Sequence, residues 1–460
     1  MTAEQILAII IFAGMFIAIM SGKVHRYIPA LIGGAASALV ILMLTHPGPQ
    51  NLWHVLRLYD FIDLHWWYGK HAAEAASGSG LEITGVNWQT MVFIGGMMVM
   101  VEGLAAVGFF RWLCLLVAKL VNYRVVPILI TFMLLSGFLS MFIDSITVLL
   151  FLATATIELA RLLKFDPVPV IIAEIFAANT GGSATMSGDP PNIIIGTHFG
   201  YTFMDFIVNT GPIAWIGMVA ALGLFYLFFR KILARPSSDN SATLPRQYPA
   251  PREAILDLRL FKIHTAIFIL VIILLVTHAT TGLSVGLIGC IAAFLTLVAA
   301  GKRAGHILRG VDRLTLFFFL GLFVCVGGLE ATGVLQELAH AIGNASGGSI
   351  IIAITFILWI SAFASAIIDN IPFAATMAPV IGSLAATQGF GLKTLAWTLA
   401  LGTDIGGNAT PIGASANVVG IAIAEKEGYR ISWGRYCKYA LPAMLIVLAL
   451  CHIYLVLRYA

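Results

Sequence analysis

Four aspartates, Asp144, Asp189, Asp369 and Asp404, lie within or at the edges of polar breaks that interrupt long apolar runs. Ser145, Asn179, Thr180, Asn192, Asn370, Asn408, Thr410 and Asn417 surround them in sequence, and Gly181, Gly182, Gly406 and Gly407 favour irregular backbone in the same places. Carboxylate, amide and hydroxyl oxygens suit a cation or a proton. The free amide groups of a half-helix that restarts after a break suit an anion or an oxygen-rich solute. Ionisable groups at bilayer depth are functional residues by default, because a charge there is costly to keep. The competing use is structural: each Asp can cap its helix by accepting backbone amides. That use weighs most for Asp189, since Gly188-Asp189-Pro190-Pro191-Asn192 is also good helix-start chemistry.

The elements that must carry these groups follow from a duplication. Residues 179–196 are a glycine-rich break containing Pro190 and Pro191, through which no helix can run. Residues 404–421 repeat it 225 positions later: Gly181, Gly182, Thr185 and Asn192 fall on Gly406, Gly407, Thr410 and Asn417. The same offset carries Ser136, Ser140 and Asp144 onto Ser361, Ser365 and Asp369. Two broken helices, near 168–198 and 393–425, and two hairpins, 127–163 and 350–387, are therefore expected. Loops of this kind survive in hydrocarbon only where protein or a water-filled cavity satisfies their backbone.

Composition places nearly the whole chain in a membrane. Of 460 residues 60% are hydrophobic and 10% charged, and the mean hydropathy is +0.96, whereas soluble domains carry about a quarter charged residues. The run from Ile6 to Met20 follows a single charged residue, Glu4, and reads as a first spanning helix rather than a secretory signal. Cys114, Cys290, Cys325, Cys437 and Cys451 lack metal or redox spacing and are expected as small buried hydrophobes. Residues 1–234 form the first repeat, 235–261 a cytoplasmic linker and 262–460 the second repeat. The expected fold is an all-α polytopic membrane protein, about ten transmembrane helices in two repeats of five, each with a re-entrant hairpin and a broken helix. An odd number of spans per repeat inverts the second relative to the first. This topology puts all lysines and arginines except Arg57, Lys70, Lys393 and Arg458 on one side, 22 of 26. By the positive-inside rule that side is cytoplasmic and both termini lie outside. Glu158, one turn from Arg161, reads as its ion-pair partner, and Asp404 is expected to face Asn179.

Thr-Gly-Gly-Ser-Ala-Thr-Met-Ser-Gly-Asp-Pro-Pro-Asn at 180–192, Ile-Ile-Asp-Asn-Ile-Pro-Phe at 367–373 and Gly-Gly-Asn-Ala-Thr-Pro-Ile-Gly-Ala-Ser-Ala-Asn-Val at 406–418 resemble the signatures of the ion transporter superfamily. Within it they are most similar to the branch of arsenite permeases, NhaD-type sodium/proton antiporters and the pigmentation P protein. The resemblance implies an elevator-like secondary transporter, not an enzyme, in the cytoplasmic (inner) membrane. Its hairpin tips would be Asp144-Ser145 and Asp369-Asn370, and its unwound loops Asn179 to Gly182 and Asp404 to Asn408. It also implies a homodimer and, for an arsenite-type carrier, a cytoplasmic ATPase partner. No nucleic acid, metal or cofactor is expected beyond a coupling proton or sodium ion. The Asp-Ser and Asp-Asn tips differ from the Ser-Asn-Thr of dicarboxylate carriers and argue against sodium-coupled dicarboxylate import. The expected activity is proton-coupled efflux of arsenite, antimonite or a similar small inorganic solute. Sodium/proton antiport is the alternative, and intramembrane aspartyl proteolysis a remote one.

Overall fold

The computed structural model describes residues 1–21, 23–45, 49–68, 85–233 and 249–460. Residues 46–48 and 69–84 of the 46–86 loop, and residues 234–248 at the linker, lie outside the described residues. Among those described, the architecture is helical, with one isolated antiparallel bridge between Tyr68 and Leu283.

The chain begins with α1 (Ala3–Met20), whose first turn is closed by a Thr2–Gln5 capping box. Next comes α2 (Tyr27–Ala36), continued as π-helix over Ser37–Thr45. After the short α3 (Pro49–Leu56) and α4 (Leu64–Trp67) comes a series that is then repeated. It comprises α5 (Trp88–Ala106), α6 (Phe109–Leu120), α7 (Val125–Ser140), α8 (Ser145–Leu163), α9 (Val168–Gly182) and α10 (Pro190–Phe199). A short α11 (Phe203–Asn209) and the long α12 (Gly211–Leu233) close the first half. The second half opens with α13 (Leu258–Thr281), α14 (Val285–Ala300) and α15 (Ala304–Gly310). It continues with α16 (Arg313–Ala331), α17 (Val334–Ser346), α18 (Ile350–Ile367), α19 (Asn370–Gln388), α20 (Leu392–Gly406), α21 (Ser415–Lys426) and α22 (Trp433–Tyr459). Nine described helices are long and apolar enough to cross a membrane. Two of them, α8 and α18, are hairpin arms, and the broken helices supply crossings from shorter pieces.

The 225-residue offset governs backbone as well as sequence. Helices α5, α6, α7, α8 and α10 start at 88, 109, 125, 145 and 190; their counterparts start at 313, 334, 350, 370 and 415. Left-handed residues recur at the same interval. Gly108 (φ 83°) matches Gly333 (79°), Asn122 (54°) and Tyr123 (55°) match Gly347 (56°) and Gly348 (76°), and Lys164 (58°) matches Gly389 (69°).

Close packing is arranged in the same paired way. A β-carbon on Gly96 would lie 2.1 Å from the Gly289 carbonyl oxygen, where α5 crosses α14. At the equivalent crossing of α16 over α2, a β-carbon on Gly321 would lie 2.3 Å from the Ala30 carbonyl oxygen. Within the hairpin units, Gly181 meets the backbone of Gly137 and Gly406 that of Ala362. With little hydrophobic drive between helices in lipid, small residues that let backbones approach are what hold such crossings. The two halves interlock, because α8 of the first packs on α21 of the second and α10 on α19.

Contacts tie both chain ends to distant segments: Gln5 lies near Gly333, and Arg458 donates to the carbonyl of Val208. Ion pairs join Arg161 to Glu427, Arg435 to Asp166, Arg303 to Asp257 and Arg111 to Glu158. Glu158 therefore pairs with Arg111 across to α6, at 3.3 Å, and not with Arg161 on its own helix. Sequence proximity set the wrong partner, since long exposed side chains select among neighbours brought by tertiary packing.

Candidate functional site

Both hairpins point their tips at the breaks in α9–α10 and α20–α21. At each tip an aspartate caps the returning arm. Asp144 accepts from the Thr147 amide at 3.0 Å and its hydroxyl at 2.7 Å; Asp369 accepts from the Ile371 amide at 3.2 Å. The next residue reaches inward in both cases. Ser145 Oγ donates to one oxygen of Asp189 at 3.3 Å and Asn370 Nδ2 to the other at 2.9 Å. Asp189 occupies the N-cap position of α10 without making a side-chain cap bond. It is 3% exposed, and both tips converge on its carboxylate.

Beyond each break the helix restart is braced identically. Asn192 Nδ2 donates to the carbonyls of Gly182 and Thr185, both at 3.1 Å; Asn417 Nδ2 donates to those of Gly407 and Thr410, both at 2.7 Å. Thr185 and Thr410 hydroxyls tie the breaks to the hairpins through the Met141 and Ala366 carbonyls. These bonds account for much of the polar content of the breaks as scaffolding, and Gly181 and Gly406 serve the helix crossings.

Among the equivalent positions, Asn179 and Asp404 differ in charge. Asn179, in the last turn of α9, donates through Nδ2 to Asn408 Oδ1 at 3.1 Å and Asn417 Oδ1 at 2.8 Å. Asn408 in turn donates to the Thr180 hydroxyl at 3.4 Å. Adding 225 to 179 gives Asp404, in the last turn of α20. It interacts electrostatically with Asp189. Asn192 and Asp189 lie against its carboxylate, but neither of its buried oxygens receives a hydrogen bond of good geometry, and Oδ1 of Asn192 and Oδ1 of Asn179 are likewise without one. The amide orientations follow from the carbonyls that each Nδ2 must meet, so the bare oxygens are not an arbitrary choice of flip.

The frame contributes residues that the sequence did not single out. Arg26, between α1 and α2, donates to Asp369 at 3.1 Å, to Ser415 at the start of α21, and to Thr315 on α16 at 2.9 Å. No spacing signal linked a loop arginine to a tip 343 residues away. A cavity of about 740 Å³ extends from Arg57, Trp66 and Asn87 to Met186, Ile194 and Ala375. A second cavity of about 30 Å³, lined by Asp144, Ser187, Thr315, Phe319 and Ile371, lies where the tips meet the frame. That is room enough for water to enter.

The sequence matches the family described as citrate transporter over residues 16–402. An uncharacterized transporter of Mycobacterium tuberculosis is 33% identical over 457 residues, which is 99% of both chains. A 46 kDa membrane protein of Mycobacterium leprae is 35% identical over 378 residues, 82% of this chain and 87% of its own. The P protein of Homo sapiens is 28% identical over 521 residues, covering 96% of this chain and 58% of its own. Two solved transporters share the fold. The Alcanivorax borkumensis YdaH transporter has a TM-score of 0.55 at 15% identity, covering 80% of this chain and 84% of its own. Neisseria gonorrhoeae MtrF, described within a class of antimetabolite efflux pumps, has a TM-score of 0.51 at 14% identity, covering 100% and 95%.

Proposed function

The chain belongs to the citrate transporter family of membrane carriers, and from that premise we propose that it is a proton-coupled secondary transporter exporting a small solute across the cytoplasmic membrane. One observation carries the coupling. In the first repeat Asn179 supplies an N–H to Asn417 Oδ1; in the second, Asp404 occupies the equivalent place and Asn192 Oδ1 has no donor. A protonated Asp404 is the near-isostere of Asn179 and would supply that donor as an O–H. The proton thus completes a hydrogen bond that the other repeat makes permanently. Asp189, held by both tips and in electrostatic reach of Asp404, makes occupancy of that proton responsive to hairpin position.

For the solute, the centre offers carboxylate and amide oxygens and amide donors. Its nearby guanidinium, Arg26, is already engaged with Asp369. An uncharged hydroxylated species such as arsenous or antimonous acid suits that lining. A polycarboxylate would bring further negative charge against Asp189 and Asp404. In the cycle we propose, the hairpins and broken helices move as one unit past a frame of α1, α2, α5, α13, α14 and α16. The basic face is cytoplasmic and both termini lie outside. Sodium/proton antiport is the second reading, favoured by the bare oxygens of Asn179, Asn192 and Asp404, which are ligands a hard cation prefers.

The test is flux in proteoliposomes under an imposed pH gradient, with arsenite, sodium and citrate supplied separately. We expect gradient-driven arsenite movement in the parent protein and none above empty liposomes in Asp404→Asn, with arsenite exchange retained. Normal pH-driven transport by Asp404→Asn would overturn the proton assignment. Transport of sodium alone would select the second reading.

A further inference from the structure

Arg26 belongs to the frame: it donates to Thr315 of α16 and lies over the ring of Phe318, 5.0 Å from its centre. Asp369 and Ser415 belong to the hairpin and broken-helix unit, and Ser415 Oγ also donates to Asp369 at 2.6 Å. The guanidinium therefore spans the two units, with 26% of its side chain exposed against 16% for Asp369. The other acids around it are Asp312, reached through the Thr315 hydroxyl, and Asp144 and Asp189, which interact electrostatically with Asp312 and Asp369 respectively. The first repeat has no such arrangement, since among the described residues no cation pairs with Asp144.

We propose that Asp369 and Ser415 form a binding site for a small monovalent cation, which the chain's own Arg26 fills in this conformation. Movement of the hairpin unit relative to α16 pulls Asp369 away from a guanidinium that Thr315 and Phe318 hold in place. A largely buried carboxylate stripped of its partner is costly, so the unit moves readily only when another cation, a proton or an external ion, takes the vacated place. Arg26 in this way forbids the empty swing. This deepens the reading of cation-coupled transport and rests on it, but its test needs neither the solute nor a gradient.

A cysteine replacing Phe319, which lies buried at the interface between frame and tips, reports by its reaction with an impermeant maleimide how often the units separate. The protein would be otherwise cysteine-free. Arg26→Ala is expected to raise the labelling rate roughly ten-fold, the factor that one lost charge-assisted hydrogen bond carries. Millimolar guanidinium, which can bridge Asp369 and Ser415 to Thr315 and Phe318 as the Arg26 head group does, should bring it back down, whereas sodium, which can neutralise Asp369 without reaching the frame, and urea, similar in shape but uncharged, should not. Arg26→Lys should fall between parent and alanine variant, and it serves if the alanine variant is poorly folded by thermal unfolding. In an Asp369→Asn background Arg26→Ala should add nothing. Unchanged labelling in both Arg26 variants overturns the proposal, as does a rise that guanidinium leaves untouched or that urea reverses equally. Failure of Asp404→Asn to block flux bears on the proton carrier alone and leaves this result standing.

Discussion

The two repeats share a backbone and differ in chemistry. Their helices start 225 residues apart, their left-handed residues coincide, and their helix restarts are braced by the same asparagine bonds. Yet Asn179 stands opposite Asp404 in the correspondence, Asp189 opposite Ala414, and among the described residues an arginine meets the second tip and none the first. A symmetrical frame thus sets where polar groups go, and single residues decide which half handles charge. An inverted pair with identical chemistry would bind the same ion twice. Under the proposed coupling one half offers a fixed donor, Asn179, and the other an acid, Asp404, that must be protonated to match it.

That contrast can be broken by making the halves alike. The largest effect is expected from Asp404→Asn, which copies the first repeat into the second: gradient-driven uptake should disappear, while the unfolding temperature holds or rises because the new amide supplies the missing donor. Measuring flux and thermal unfolding on the same preparation checks both. A fall in stability would mean that Asp404 is not placed as the counterpart of Asn179.

A second comparison concerns the crossings. Gly181→Val should destabilise strongly, because even a β-carbon there would lie 2.1 Å from the Gly137 carbonyl oxygen. Overpacking of this kind costs about 1–3 kcal/mol or more. Gly223→Val, with nothing within 4 Å of the added carbon, should leave the unfolding temperature nearly unchanged. Equal losses would show that glycine is needed for reasons other than close approach.

The braces give a finer distinction. Asn417 donates twice and also accepts from Asn179, whereas Asn192 donates twice and accepts nothing. Asn417→Ala should therefore cost about 1 kcal/mol more than Asn192→Ala, the worth of one internal hydrogen bond. Denaturant midpoints in detergent would resolve it, and a reversed order would contradict the asymmetry. Smallest of all should be Arg161→Ala, which removes an exposed pair with Glu427. Such pairs contribute little, so no shift in unfolding temperature is expected.

Much of the frame could be read in advance because duplication writes itself in glycines and asparagines. Gly181-Gly182 and Gly406-Gly407 located both breaks to within a turn, although Asn179 to Gly182 and Asp404 to Gly406, expected as unwound, stay helical and the chain leaves the helix only after them; the offset extended to hairpins whose tips lie where Asp144 and Asp369 stand. The left-handed pair was visible as Gly347-Gly348 in the second half and hidden as Asn122-Tyr123 in the first, where ordinary residues bear the same conformation. The contacts between elements were not legible. Arg26 looked like any loop arginine, Glu158 looked local to Arg161, and Asp189, a candidate site residue, could not be told from a cap. In each case three-dimensional proximity, which has no period in sequence, chose the partner.

The constancy of the 225-residue interval from Trp88 to Pro190 has a consequence for how such a molecule can change. Inserting one residue in an α-helix turns everything beyond it by about 100°, which would carry Gly181 away from Gly137 or Asn192 away from its two carbonyls. The unaltered half offers no compensating turn, since the halves hold one another through α8 on α21 and α10 on α19. Segment length is therefore frozen by the first interlocking of the duplicates, while side-chain identity stays free to diverge. Diversification of cargo in a chain built this way is expected to proceed by exchange of residues at the breaks, with additions and deletions confined to the termini, the linker and the loop after α2.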